Sequence, residues 1–165
     1  MRALQRKLRG ASTRGGVFIV LALLLAAPLG AQKTAFALSG GTITFPTPTA
    51  VDYIAGWINS SNGVTFTVNA QTGASRTTTV SIRAISATLG SGKVIGDLQW
   101  RRSDLATWNS ISLADTQVEQ RIVIRNGLND PWSNTIFFRM VLNWTADGPA
   151  TYSADYQITV AQTVP

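Results

Sequence analysis

Apolar and polar residues alternate along most of the chain, which is the period-2 pattern of β-strands and not the 3.6-residue period of helices. Val64, Phe66 and Val68 fall on one face of such a segment, with threonines on the other. Leu98 and Trp100 alternate with polar residues in the same way. Further strands are predicted from other segments, namely 42–45 and 50–58 as edge strands, 77–87, 107–113 and 117–125.

The longest alternating segments lie near the C-terminus. The first places five apolar residues on one face: Ile136, Phe138, Met140, Leu142 and Trp144. The second does the same with Tyr152, Ala154, Tyr156, Ile158 and Val160. The intervening dipeptide Asp147-Gly148 is a hairpin signal. The pattern therefore predicts one antiparallel hairpin from Thr135 to Ala161, with its two apolar faces packed together and Trp100 and Trp144 in the core.

No segment beyond residue 37 sustains a helical period. Seven to nine short strands separated by turn signals predict an all-β fold, and we expect an antiparallel, immunoglobulin-like β-sandwich. A closed barrel is the alternative. A membrane barrel is disfavoured because the strands are polar on alternate faces and few aromatic residues flank them.

The first residues have the organisation of a secretory signal peptide. Five basic residues precede an apolar segment at 17–29, which is shorter than the roughly 20 residues needed to span a bilayer. Small residues then allow cleavage after Ala31 or after Ala37, of which the second fits the A-x-A pattern better. The predicted organisation is a signal peptide at 1–37 and a β-sandwich domain at 38–165. An uncleaved membrane anchor is the alternative.

Removal of this segment changes the net charge of the chain. The whole chain has 14 Lys and Arg, 8 Asp and Glu, and a net charge of +6. Six of the basic residues precede Leu38 and every acidic residue follows it, so the mature chain is near neutral. Apart from Arg101 and Arg102, its basic residues are scattered. Binding to nucleic acid requires a clustered basic surface, so nucleic acid is not expected as a partner.

The composition also removes the commonest catalytic groups. The chain has no histidine and no cysteine, which excludes Ser-His-Asp and Cys-His arrangements and two common metal ligands. Two carboxylates suffice for a glycosidase, but most aspartates here lie in turn-like contexts. Asn126, Asn129 and Asp130 offer oxygen ligands for calcium without the spacing of an EF-hand. We therefore expect no enzyme activity, no cofactor and no metal.

Five tryptophans provide the candidate ligand contacts. Trp108 and Trp132 fall in or beside predicted loops, where an indole face can stack on a sugar ring. Aromatic side chains more often fill cores. The dipeptide Pro131-Trp132 is also consistent with a tryptophan that anchors a loop. The two residues support a carbohydrate-binding module as an alternative function.

The C-terminal segment PATYSADYQITVAQ, residues 149–162, resembles the final strand of a group of bacterial secreted β-sandwich subunits. This group includes the pilin-like and spore-coat-U-like proteins. The resemblance is carried by Pro149, Thr151, Tyr152, Ile158 and Val160. Members of the group often contain a cysteine pair, which this chain lacks. The resemblance implies a role in assembly or at the cell surface.

Taken together, these features predict an exported, non-catalytic β-sandwich protein that is secreted, periplasmic or on the cell surface. Its expected role is a structural or adhesive surface subunit or a protein-interaction module, with the carbohydrate-binding module as the alternative. The expected partners are other surface subunits, copies of itself or polysaccharide. No membrane span is expected in the mature chain.

Overall fold

Strands dominate the chain, as the alternation predicts. A computed structural model describes residues 33–39, 43–71, 75–90, 92–123, 131–147, 150 and 152–163. In chain order the elements are β1 (Lys33–Ser39), α1 (Ala50–Ala55), β2 (Trp57–Asn59), β3 (Val64–Gln71), β4 (Arg76–Ala84), β5 (Thr88–Gly90), β6 (Lys93–Val94), a 3-10 turn (Ile95–Asp97), β7 (Leu98–Arg102), β8 (Asn109–Ser110), β9 (Thr116–Val123), β10 (Trp132–Val141) and β11 (Tyr156–Thr163). The described strands outnumber the seven to nine predicted because β2, β5, β6 and β8 have only two or three residues.

β10 is the central strand of a six-stranded antiparallel sheet. The strand order is β1-β3-β10-β7-β8, and β2 also pairs with β10. On one side, β10 pairs with β3 up to Ile136 and with β2 from Arg139 onwards. On its other side, β10 pairs with β7. The link between β2 and β3 therefore leaves the sheet beside Phe137 and Phe138, and the Ser60 N–H donates to the Phe138 carbonyl at 2.9 Å.

The second sheet has three antiparallel strands in the order β11-β4-β9, and β5 and β6 form a separate two-stranded ribbon. Here the predicted hairpin from Thr135 to Ala161 is wrong, because β10 and β11 belong to different sheets. The prediction of which residues of these two strands face the core is confirmed. Phe138 and Tyr156 contact one another from opposite sheets, with ring centroids 5.4 Å apart. Alternation identifies the buried face of a strand but not the strand beside it.

One hydrophobic core receives side chains from both sheets. Alternate residues of β3, β7 and β10 contribute from the larger sheet, and alternate residues of β4 and β11 contribute from the smaller one. The largest fully buried side chains include Phe66, Phe138, Ile82 and Leu98. Each buried side chain of this size contributes about 1.5–3 kcal/mol. Within the described ranges, no helix is long and apolar enough to cross a membrane.

The helix α1 occupies most of the segment predicted as an edge strand at 50–58, so that prediction is wrong except at β2. A capping box starts the helix: the Thr49 N–H donates to the Asp52 carboxylate at 2.8 Å, and Thr49 Oγ1 accepts from the Asp52 N–H. Gly56 ends it in the left-handed conformation, with φ 81°. These local end signals outweigh the β propensity of Val51 and Ile54. Ile43 and Phe45 lie before the helix and pack against the core without forming a strand.

Trp144 does not join the core, contrary to the sequence prediction. It is 59% exposed and stacks on Tyr53 at 4.5 Å between ring centroids. The neighbouring Asp147 binds Lys93 at 2.7 Å, and both side chains are buried. Asp147 Oδ2 also accepts from the Asn143 N–H at 2.7 Å. The turn after β10 is thus attached to α1 and β6.

Residues 33–37, the last five of the predicted signal peptide, lie in β1. β1 pairs with β3 in one continuous register from Lys33↔Gln71 to Ser39↔Thr65. Phe36 and Leu38 pack against the core. The earlier part of the predicted signal peptide lies outside the described residues.

Candidate functional site

The outer face of the six-stranded sheet carries a cluster of arginine and aromatic side chains. Since Leu98, Trp100, Phe138 and Met140 are buried, the residues between them point to the other side of β7 and β10. Arg101 and Phe137 are direct cross-strand partners, as are Gln99 and Arg139. Direct partners have Cβ atoms about 5 Å apart, so their side chains meet.

Five of these side chains form an alternating stack, which we call the arginine–aromatic ladder. Its members, in spatial order, are Trp57, Arg139, Trp108, Arg101 and Phe137. The Arg139 guanidinium carbon lies 5.2 Å from the Trp57 ring centroid and 4.6 Å from that of Trp108. The corresponding Arg101 carbon lies 5.1 Å from Trp108 and 5.3 Å from Phe137. Each cation–π contact is worth about 0.5–2 kcal/mol, depending on its desolvation.

The segment between β7 and β8 positions Trp108. Arg101 Nη1 donates to the Leu105 carbonyl at 2.9 Å, and the Ser103 N–H donates to the Thr135 carbonyl at 2.8 Å. These bonds hold the turn against β10. Arg101 therefore fixes both the backbone of the segment and the indole that follows.

The two ladder arginines lack carboxylate partners among the described residues. Arg139 Nε donates to Gln99 Oε1 at 2.6 Å, which is a neutral acceptor. Burial, and secondarily the charge of Arg101, lower the pKa of Arg139 below its usual value. Other cations have carboxylates close by: Arg83 with Asp115, Lys93 with Asp147, and Arg102 and Arg121 with Glu119. The outer face thus carries two positive charges that no carboxylate of the described residues neutralises.

A cleft of about 210 Å³ opens beside the ladder. Its lining combines charged, aromatic and neutral polar groups, contributed by Asn59, Ser60, Arg101, Trp108, Phe137 and Phe138. It lies where β2 ends and the chain leaves the sheet before β3. A second cavity, lined by Ile43, Phe45 and Leu89 among others, measures about 30 Å³, which suits a single water molecule better than a ligand.

Hydroxyl groups continue the outer face beyond the ladder. Thr65 and Thr135 hydrogen-bond to one another at 2.8 Å, and Thr67 and Ser133 do the same at 2.8 Å. Gly63 allows β3 to approach β10 here, because a Cβ at this position would lie 2.7 Å from Thr135 Cγ2 and 3.0 Å from Phe137 Cδ1. Glycine is thus required at this point of the outer face.

Trp108 and Trp132, the two predicted ligand contacts, do not lie on a common surface. Trp108 is half-buried in the ladder, on the outer face. Trp132 lies within β10 instead of a loop, is 9% exposed, and packs edge-on against Phe66 in the core. Arg121 covers the Trp132 ring at 4.6 Å. Only Trp108 contributes to the outer face.

The sequence analysis does not identify four of the ladder residues as site residues, namely Trp57, Arg101, Phe137 and Arg139. The signal was present in the alternation, which placed an aromatic residue and an arginine on the polar face of a strong strand. Recognising the ladder also requires knowing that β7 and β2 flank β10. That knowledge comes only from the sheet topology.

Within the described ranges, no group of three or more carboxylates is placed to hold a metal ion. The calcium candidates Asn126, Asn129 and Asp130 lie outside the described residues. Chemically, the ladder is suited to binding and offers no nucleophile or proton-transfer pair. Comparison of the chain with protein-family models, curated proteins and solved structures gives no match.

Proposed function

We propose that this chain is an exported, non-catalytic β-sandwich domain of immunoglobulin-like form that acts by binding. The observation that carries the proposal is the arginine–aromatic ladder, with the cleft beside it. Aromatic and arginine side chains are enriched where proteins bind partners, and they supply most of the binding energy there. The roles of an adhesive surface subunit and of an interaction module both rest on such a face.

The non-catalytic assignment is supported by composition and by the positions of the acidic groups. The chain has no histidine or cysteine. Asp97 and Asp147 bind Lys93, Asp104 and Glu119 bind Arg102, and Asp52 caps a helix. Carboxylates engaged in this way serve local structure.

A carbohydrate-binding module is the second candidate, and Trp108 favours it. The indole borders the cleft, which Asn59 and Ser60 also line. Such a mixture of one aromatic surface and several hydrogen-bonding groups is typical of small-molecule and sugar sites. Trp132 has no part in this version of the proposal.

The basic and apolar N-terminal segment, which resembles a signal peptide, supports the proposed export. We propose cleavage after Ala31 instead of Ala37. Cleavage after Ala37 would leave only Leu38 and Ser39 of β1 and would uncover the edge of β3 at residues 67–71, which pair with residues 33–37. Long exposed edges promote aggregation. N-terminal sequencing of the exported chain should give Gln32 as the first residue, and a chain starting at Leu38 would contradict this assignment.

The binding proposal is tested with a panel of immobilised ligands. The chain from Gln32 onwards is applied to neutral polysaccharides, acidic polysaccharides and polypeptides, beside the double variant Trp57→Ala/Trp108→Ala. The control is Arg83→Gln, since Arg83 pairs with Asp115 near the smaller sheet. We expect at least one class to bind the parent and the control but not the double variant. Failure of every class, or equal binding by all three proteins, would contradict the proposal.

A further inference from the structure

We infer that the ligand of the outer face is an acidic polysaccharide, whose acid groups are bound by the guanidinium groups of Arg101 and Arg139 and one of whose sugar rings lies in the adjoining cleft. This inference rests on the proposed binding function and adds the chemical class of the ligand.

The first support is uncompensated charge. Both guanidinium groups lie over the same indole, at 5.1 and 4.6 Å from its centroid, so they can be no farther apart than those two distances together. No described carboxylate lies within ion-pairing distance of either group, although four other described cations have such a partner. An anion bound at either guanidinium group would offset this uncompensated positive charge.

The second support is the fixed orientation of the donors. Contacts with Trp57, Trp108 and Phe137 restrain the two guanidinium groups, while Gln99 and the Leu105 carbonyl each accept one N–H. Both terminal nitrogens of Arg139 have no acceptor among the described residues. A planar guanidinium with free N–H groups matches a carboxylate or sulfate group, and stacking lowers the entropy lost on binding.

The third support is the size and chemistry of the surface. The cleft of about 210 Å³ lies below the roughly 300 Å³ typical of sites that enclose a whole small ligand. It therefore suits one unit of a longer chain. The hydroxyl pairs Thr65–Thr135 and Thr67–Ser133 extend the same face and can hydrogen-bond further sugar hydroxyls.

An acidic peptide fits this face less well. Peptides bound to sheets usually add a strand at an exposed edge, whereas β10 is paired on both sides, with β2 and β3 on one and β7 on the other. The ligand must then be recognised through side chains alone. A nucleic acid would require more cations along its backbone than the two of the ladder.

The test measures affinity by titration calorimetry at low ionic strength, using the chain from Gln32 onwards. The probes are a polygalacturonate oligosaccharide, its fully methyl-esterified form, a sulfated oligosaccharide, poly-glutamate and a single-stranded oligonucleotide. We expect the acidic sugars to bind, with affinity that falls as salt is added. The methyl ester, which keeps the sugar and loses the charge, should bind at least about tenfold more weakly. The affinities for the carboxylated and the sulfated sugar are then compared, and the tighter of the two shows which acid group the site prefers.

Variants assign this binding to the ladder. Arg101→Gln/Arg139→Gln should lower affinity for the acidic sugar at least about tenfold. Arg139→Lys keeps the charge and loses the planar donor, and should lower it severalfold. Arg83→Gln is the control and should bind like the parent. Thermal unfolding of each variant establishes that the protein tested is folded, and Arg139→Lys preserves the test if the double variant does not fold.

Equal affinity for the methyl ester, for poly-glutamate or for the oligonucleotide would overturn the acidic-polysaccharide inference. If the neutral ester binds and Trp57→Ala/Trp108→Ala abolishes that binding, the binding function stands and the acidic ligand is rejected. If neither these probes nor the immobilised panel bind, both proposals fail.

Discussion

Neighbouring residues on β7 and β10 have identical side chains and opposite environments. Arg101 lies on the outer face against Trp108 and Phe137, with no described carboxylate beside it. Arg102, the next residue, faces inward and contacts Glu119 of the other sheet at 3.7 Å. Phe137 is likewise half-buried outside, whereas Phe138 is 1% exposed inside. The face of the strand, and not the residue type, separates side chains that stabilise the fold from those available to a ligand.

The largest expected effect comes from the inner phenylalanine. Phe138→Ala should lower the free energy of unfolding by about 3–5 kcal/mol, because it leaves a cavity beneath Tyr156. Phe137→Ala should cost about 1 kcal/mol and leave the core intact. Urea denaturation of both variants measures the difference, and equal losses would show that the outer face is buried too.

The arginine pair should give the next largest difference. Arg102→Gln leaves Glu119, whose side chain is 5% exposed, without one of its two cations and should cost about 3 kcal/mol. Arg101→Gln removes only stacking and one turn hydrogen bond, so we expect about 1 kcal/mol. Thermal unfolding provides the comparison. A larger loss for Arg101→Gln would assign the ladder to stability and weaken its role in binding.

Gly63 tests how closely the outer face is packed. Gly63→Ala places a methyl group 2.7 Å from Thr135 and should cost about 1–2 kcal/mol. It should also displace Phe137 and weaken ligand binding. Gly96→Ala is the matched control, because nothing lies within 4 Å of the added Cβ. Equal stability of the two variants would mean that β3 can withdraw from β10 without loss.

The smallest expected effect is the pH dependence of the stability that the Arg102–Asp104 ion pair provides. The hydrogen bond from Arg102 lowers the pKa of Asp104 to about 2, from 3.8. Since the folded-state pKa is the lower one, the stabilisation is present above pH 3.8 and is lost as the pH falls towards 2. The parent should be slightly more stable than Asp104→Asn at neutral pH, and the difference should disappear once the pH is about one unit below 2. A difference that persists there would assign the stabilisation to another contact of Asp104.

Much of the inner face could be predicted from sequence, because burial imposes the two-residue period directly. Val64, Phe66 and Val68, then Leu98 and Trp100, are buried as their alternation predicts. The all-β class follows from the same signal. Trp144 does not follow this alternation. β10 ends at Val141, and beyond the end of a strand a residue's position in the sequence no longer determines whether its side chain faces the core.

Pairing between strands could not be predicted in the same way. β10 and β11 have complementary apolar faces, which is equally consistent with a hairpin and with strands that face each other across a core. Helix α1 was missed for a different reason: six residues are too few to display a helical period. Only Thr49, Asp52 and Gly56 mark its ends.

The candidate site was the least predictable part, because it is assembled from distant segments. Residues 57, 101, 108, 137 and 139 meet only after β2 and β7 have paired with β10. Trp108 was selected for its loop position, and that position is what allows its ring to reach both arginines.

The pairing of β11 with β4 also sets when the molecule can fold. Residues 156–163 pair with residues 77–84, and β10 joins strands drawn from 57–71 and 98–102. Contacts so distant in sequence slow folding. The six-stranded sheet is therefore incomplete until β10 has been synthesised, and the three-stranded sheet until β11 has been.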